Sequence, residues 1–108
     1  MPEQTAMPFD VGSRQHRVFG KQVRLQFAED FVLRLTAAEA SSLSFALVAV
    51  RDGISPEREI YMSPIGSDHE FVGTVCDSGM KIAIGKDVLA LDWVGVGKLA
   101  GALAAAIE

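Results

Sequence analysis

Two stretches of the chain alternate apolar and polar residues with period two, and an apolar stripe at helical spacing follows each. Val23, Leu25 and Phe27 alternate with Arg24 and Gln26, and Met80, Ile82 and Ile84 alternate with Lys81 and Ala83. This period predicts strands with one buried face. Each ends in a short polar connection, Ala28-Glu29-Asp30 or Gly85-Lys86-Asp87, and a further strand follows, Phe31 to Leu35 or Val88 to Leu91. Another strand is expected before each hairpin, ending near Val18-Phe19 and Val75-Cys76, with turns at Gly20-Lys21-Gln22 and Asp77-Ser78-Gly79. Arg58 to Ser63, where Ile60 and Met62 alternate with polar neighbours, opens the second half, and Met7 to Val11 is its faint counterpart in the first.

Thr36 and Asp92 each stand just before a helical pattern, where a short side-chain oxygen can accept from a free amide of the first turn. Glu39 follows Thr36 by three residues, as a capping box requires, whereas Asp92 has no such partner. The first helix carries its stripe on Ala40, Leu43, Leu47 and Val50, the second on Val96, Leu99, Leu103 and Ile107 with Trp93 at its start. Gly53, after Arg51-Asp52, is placed to take the left-handed conformation that ends a helix.

Residues 32–50 and 88–106 match at an offset of 56, with Val32/Val88, Leu33/Leu89, Leu35/Leu91, Leu43/Leu99, Ala46/Ala102, Leu47/Leu103 and Ala49/Ala105 identical. Caps, strand alternation and helix stripe agree with the match, so the sequence predicts an α+β fold of two pseudo-symmetric units. Each unit is a β-meander of antiparallel strands followed by one helix. The expected division is one domain over 1–108, with a tail at 1–6, a first unit at 7–53 and a second at 54–108. Units of this size are too small to be stable alone, so they should share one core about an approximate two-fold axis.

Composition narrows the class of function. The chain of 108 residues holds 10 Lys+Arg against 14 Asp+Glu, a formal charge of −4, which argues against a dedicated nucleic-acid binder. The excess negative charge lies entirely in residues 54–108. One cysteine, Cys76, excludes a disulfide framework and a cysteine-rich zinc site. It reads as a small buried hydrophobe at a strand end. The first residues lack the apolar run of a secretory signal, and no stretch reaches the length of a bilayer span; with the free thiol, these features lead to the expectation of a cytoplasmic protein with no membrane partner.

The second helix bears a single charge, Lys98, before Glu108, and the mean hydropathy of the chain is +0.24. A helix apolar on nearly all sides wants cover on nearly all sides, so a homodimer is expected. Gly97, Gly101 and Ala105, four residues apart, form a smooth ridge that implies a close backbone neighbour. With Trp93 they are the candidate interface; a contact with the first helix of the same chain and a contact between two copies both remain open.

Candidate chemistry is sparse. The loop Ser63-Pro64-Ile65-Gly66-Ser67-Asp68-His69-Glu70 holds hydroxyls, an imidazole and carboxylates, so Asp68, His69 and Glu70 are the candidates for a catalytic site, although Pro, Gly, Ser and Asp also suit a plain turn. No spacing organises His16, His69, Asp68, Glu70, Cys76 and Asp77 as metal ligands, and Gly95-Val96-Gly97 lacks the third glycine of a phosphate cradle, so no metal and no cofactor are expected. Arg14, Arg17, Arg24 and Arg34, with His16 and Lys21 nearby and Phe19 and Phe27 interleaved, form the one basic cluster; on an outer sheet face they could hold a single-stranded nucleic acid. Three functions follow, in this order: a non-enzymatic binding or assembly domain acting as a homodimer, a small enzyme using His69, and a single-strand nucleic-acid binder.

Overall fold

The structure, a computed structural model, describes residues 9–18 and 20–108; of His16 only the backbone is described. Its elements run β1 (Asp10–His16), β2 (Gly20–Ala28), β3 (Phe31–Thr36), α1 (Ala37–Arg51), β4 (Glu59–Met62), β5 (Phe71–Cys76), β6 (Gly79–Ile84), β7 (Asp87–Asp92) and α2 (Trp93–Ala106). The strands form two antiparallel sheets, β1-β2-β3 and β4-β5-β6-β7. The protein is therefore α+β, with a strand run and then a helix, twice.

Three readings need correction. The first hairpin strand ends at His16 rather than near Val18-Phe19; Arg17 and Val18 are in the turn, and Phe19 lies outside the described residues. Asp10 and Val11 belong to this same strand, pairing with Gln26 and Leu25, so they form no separate counterpart of β4; Met7 and Pro8 lie outside the described residues. Phe27 is not on the basic face, because it shares the inward parity of Val23 and Leu25 and packs against Phe31 and Phe71 at centroid distances of 6.2 Å.

The helix stripes hold where local rules apply. Ala40, Leu43, Leu47 and Val50 are the buried residues of α1, and Val96, Leu99 and Leu103 are buried in α2 beside Gly95 and Ala100. Thr36 Oγ1 accepts from Glu39 N–H and Glu39 Oε1 accepts from Thr36 N–H, closing the capping box. Asp92 Oδ1 accepts from Gly95 N–H at 2.8 Å. At the end of α1, Gly53 takes φ +74 and donates to the Val50 carbonyl, while Ile54 donates to that of Ala49. These two bonds make a Schellman ending.

The two halves are fastened through their helices. α1 lies on β2 and β3 and reaches β4; α2 lies on β6 and β7 and reaches β1. The helices run antiparallel against one another, with the Ser44 hydroxyl donating to the Ala100 carbonyl at 2.9 Å and Arg51 lying against Gly97. Residues of both halves, from Val23 and Leu33 to Ile82 and Leu99, join in one hydrophobic core. Burial of these side chains, each contributing about 1.5–3 kcal/mol, is the main favourable term. Gly79 permits the close pairing of β6 with β7: at φ +157, a Cβ there would collide with the Leu91 carbonyl oxygen. Among the described residues, no helix is long and apolar enough to cross a membrane.

Candidate functional site

The outer face of the first sheet follows from the parity of its strands. Because Val23, Leu25 and Phe27 point to the core, Gln22, Arg24 and Gln26 point away. Register then places Gly12, Arg24 and Arg34 in one row across three strands, with Arg14 and Gln22 paired beside it. Together with Ser13 these residues line a cavity of about 240 Å³. Gly12 leaves its floor open, since the nearest atom to a Cβ there is the Arg24 Nη2 at 3.6 Å.

The three arginines are engaged to different degrees. Arg24 donates to Asp10 Oδ2 at 3.0 Å and also to Gln26 Oε1. Arg14 Nε donates to Gln22 Oε1 at 3.3 Å. The guanidinium of Arg34 has no hydrogen bond or ion pair among the described residues, while its backbone is held on both sides by one hydroxyl: Arg34 N–H donates to Ser67 Oγ at 2.6 Å, and Ser67 donates to the Arg34 carbonyl at 3.0 Å. Gln22 is the buried polar residue of the described chain, only 8% exposed, and its Nε2 finds no acceptor among the described residues. Arg17, in the turn after β1, is exposed and does not line the cavity. With Phe27 in the core and Phe19 outside the described residues, the described part of this face carries no aromatic ring.

The polar loop between β4 and β5 is engaged in holding the fold together. Ser67 is on Arg34, Ile65 N–H donates to Glu39 Oε2 at 3.1 Å, and the Tyr61 hydroxyl donates to Glu70 Oε2 at 2.7 Å. The hydrogen bond to Glu70, with partial desolvation and the carboxylate charge, raises the Tyr61 phenol above its ordinary value against a smaller opposing effect of Ser63. His69 stacks on Phe31, 4.4 Å between centroids at 22°. Its ring borders a shallow cavity of about 210 Å³ shared with Glu29, Asp30, Arg34 and Asp68, and one of about 340 Å³ shared with Phe31 and Lys86. Asp68 and His69 are thus brought together, Glu70 is drawn off to Tyr61, and among the described residues no serine or threonine lines either cavity. Cys76 is half-buried, with Ser78 Oγ 4.0 Å from its sulfur. Among the described residues, no group of three or more His, Cys, Asp or Glu side chains is placed to hold a metal ion.

The small-residue ridge of α2 divides in two. Gly97 faces Arg51 of its own chain, whose Nη1 would be 2.8 Å from a Cβ there. Arg51 also pairs with Asp52, and that hydrogen bond holds the Asp52 carboxyl below its usual range. Gly101 and Ala105 are exposed, and among the described residues nothing lies within 4 Å of a Cβ at Gly101. Trp93 is half-buried and donates its Nε1–H to the Asp77 carbonyl at 3.2 Å. Sequence reasoning missed Phe45, which is 74% exposed on α1, and Val94, 67% exposed on α2. Both lie off their helix stripes, the one signal that could have found them. It also missed Gln22, although the parity of β2 places it with Arg24.

No protein-family model, curated protein or solved structure matches the chain.

Proposed function

We propose that the protein is a small non-enzymatic binding and assembly domain that acts as a homodimer through the outer face of its helix pair. Gly101 carries this reading. A glycine inside an exposed helix costs about 1 kcal/mol relative to alanine, and among the described residues nothing occupies the space its missing side chain leaves. Ser44 and Ala100 mark where the antiparallel helices touch; the next residue in each, Phe45 and Gly101, turns to one common outer side. A bulky ring and a hole on the same face suit an isologous contact, in which the Phe45 ring of each copy fills the Gly101 hollow of the other. Val94 and Ala105 extend the apolar surface. Support for internal duplication comes from the same contact: Ser44 and Ala100 are 56 residues apart, the offset of the sequence match, as a pseudo-two-fold axis between the helices would require. The non-enzymatic reading rests on the polar loop, whose Ser67, Glu70 and Glu39 contacts are structural. A lone free thiol suits a reducing compartment such as the cytoplasm.

Light scattering after size exclusion tests the reading. The expected mass is twice 11.6 kDa at micromolar concentration, falling to one chain in Phe45→Glu with an unchanged circular-dichroism spectrum. Gly101→Ala is expected to weaken the dimer. A monomeric wild type at about 100 μM, or a Gly101→Ala variant that merely gains the helix-propensity increment, overturns it.

A further inference from the structure

We propose that the cavity on the outer face of β1–β3 binds a small phosphomonoester-type dianion, with Arg34 and the Gln22 amide as its principal donors. This site is separate from the helix face and stands independently of the dimer. Three guanidiniums line it and one carboxylate, Asp10, pairs with one of them, so the lining of the cavity itself is net positive. The strongest observation is Gln22. The residue is only 8% exposed and lines the cavity; its Oε1 accepts from Arg14 Nε, and its Nε2 makes no hydrogen bond among the described residues. That nitrogen is not sealed from solvent, since no buried side-chain nitrogen or oxygen of the described residues lacks a partner, and it is free to donate to a ligand oxygen. Arg34 is the second. Ser67 fixes its backbone, its guanidinium makes no hydrogen bond or ion pair among the described residues, and a planar fork of donors matches a phosphate. The carboxylates of Glu29, Asp30 and Asp68 share a neighbouring cavity with Arg34 but make no ion pair with it among the described residues.

The volume sets the ligand class. About 240 Å³ is several times the share of one liquid water, about 30 Å³, so the cavity admits a phosphate together with a small organic group. A nucleic-acid strand suits it less: no ring on the described part of the face offers stacking, and a chain of charge −4 repels a polyanion.

Isothermal titration with inorganic phosphate and with methyl phosphate, in chloride buffer, tests the proposal. Saturable binding of one anion per chain is expected. Arg34→Ala and the isosteric Gln22→Glu should each weaken it by about tenfold or more, since the first removes a charge-assisted donor and the second puts a like charge in place of a donor. Asp10→Asn, which releases Arg24, should tighten it about threefold, a gain that a merely structural role would not produce. If Gln22→Glu fails to fold, the two exposed variants still decide. Absence of saturable binding up to about 10 mM overturns the proposal, as does affinity unchanged in Arg34→Ala. Binding of a thymidine decanucleotide that phosphate does not displace also overturns it, in favour of a strand.

Discussion

Glu39 joins the two halves of the chain through one carboxylate, and its removal should cost more than a surface substitution. Oε1 accepts from Thr36 N–H at 2.9 Å and Oε2 from Ile65 N–H at 3.1 Å. The first bond closes the start of α1; the second fastens the loop between β4 and β5 to it. Glu39→Ala leaves both amides without their acceptor, and a hydrogen bond to a charged group contributes about 1.5–3 kcal/mol when it is shielded. Glu39 is half-buried, so water recovers part of this at each amide, and loss of a negative charge from the first turn adds about 0.3–1 kcal/mol. The expected sum is about 2 kcal/mol. At this chain length that lowers the melting temperature by about 8–16 °C. Glu39→Gln is the sharper test, because its single amide oxygen serves one N–H while its NH₂ faces the other, so it should fall between wild type and alanine. Urea unfolding followed by circular dichroism at fixed protein concentration measures both. Trp93, the single tryptophan, reports independently from the far end of the second unit. A double-mutant cycle with Ser67→Ala should show coupling, since both residues hold one loop. Glu39→Ala within about 0.3 kcal/mol of wild type, or Glu39→Gln as damaging as alanine, refutes the reasoning.

Tyr61 is the single tyrosine, so its ultraviolet titration is unambiguous, and its midpoint is expected above 10.0, moving back down in Glu70→Gln. The folded phenol is the one with the raised pKa; the stability it contributes is therefore present below the unfolded value and lost as pH rises through the folded one, making Glu70→Gln less sensitive to alkali than wild type. Gly79→Ala, which drives a Cβ onto the Leu91 carbonyl, should lose more than about 2 kcal/mol by thermal melting. Gly53→Ala, strained in φ but facing open space, should lose about 1 kcal/mol, and equal losses in the two would refute the steric account.

Much of the fold was legible because it is decided locally. Ala40, Leu43, Leu47 and Val50 are buried together because a helix returns to one face every three or four residues, and Thr36 with Glu39 caps because its spacing already fits. Gly53 stops α1 by its own conformational freedom. Parity also located the arginine row, and parity, read strictly, would have kept Phe27 off that row. The remainder depends on contacts that no local period encodes. Ser67 reaches Arg34 across 33 positions, and Gly66 of the other half of the chain comes close to the Gln22 amide. The polar composition of the loop between β4 and β5 suggested chemistry, whereas its Ser67 hydroxyl bonds to β3, its Ile65 amide to α1 and its Glu70 carboxylate to β4. The division of strands into two sheets follows from which helix fills which gap, a property of the assembled core rather than of any one segment.

The Ser67 hydroxyl has one further consequence. β3 is the outermost strand of its sheet, and at Arg34 its outward amide and carbonyl are both answered by a single oxygen, as an incoming chain would otherwise answer them. The bond therefore protects against templated growth: with Ser67 unlatched, β3 presents an open pairing register, and the domain acquires a route to open-ended cross-strand polymers.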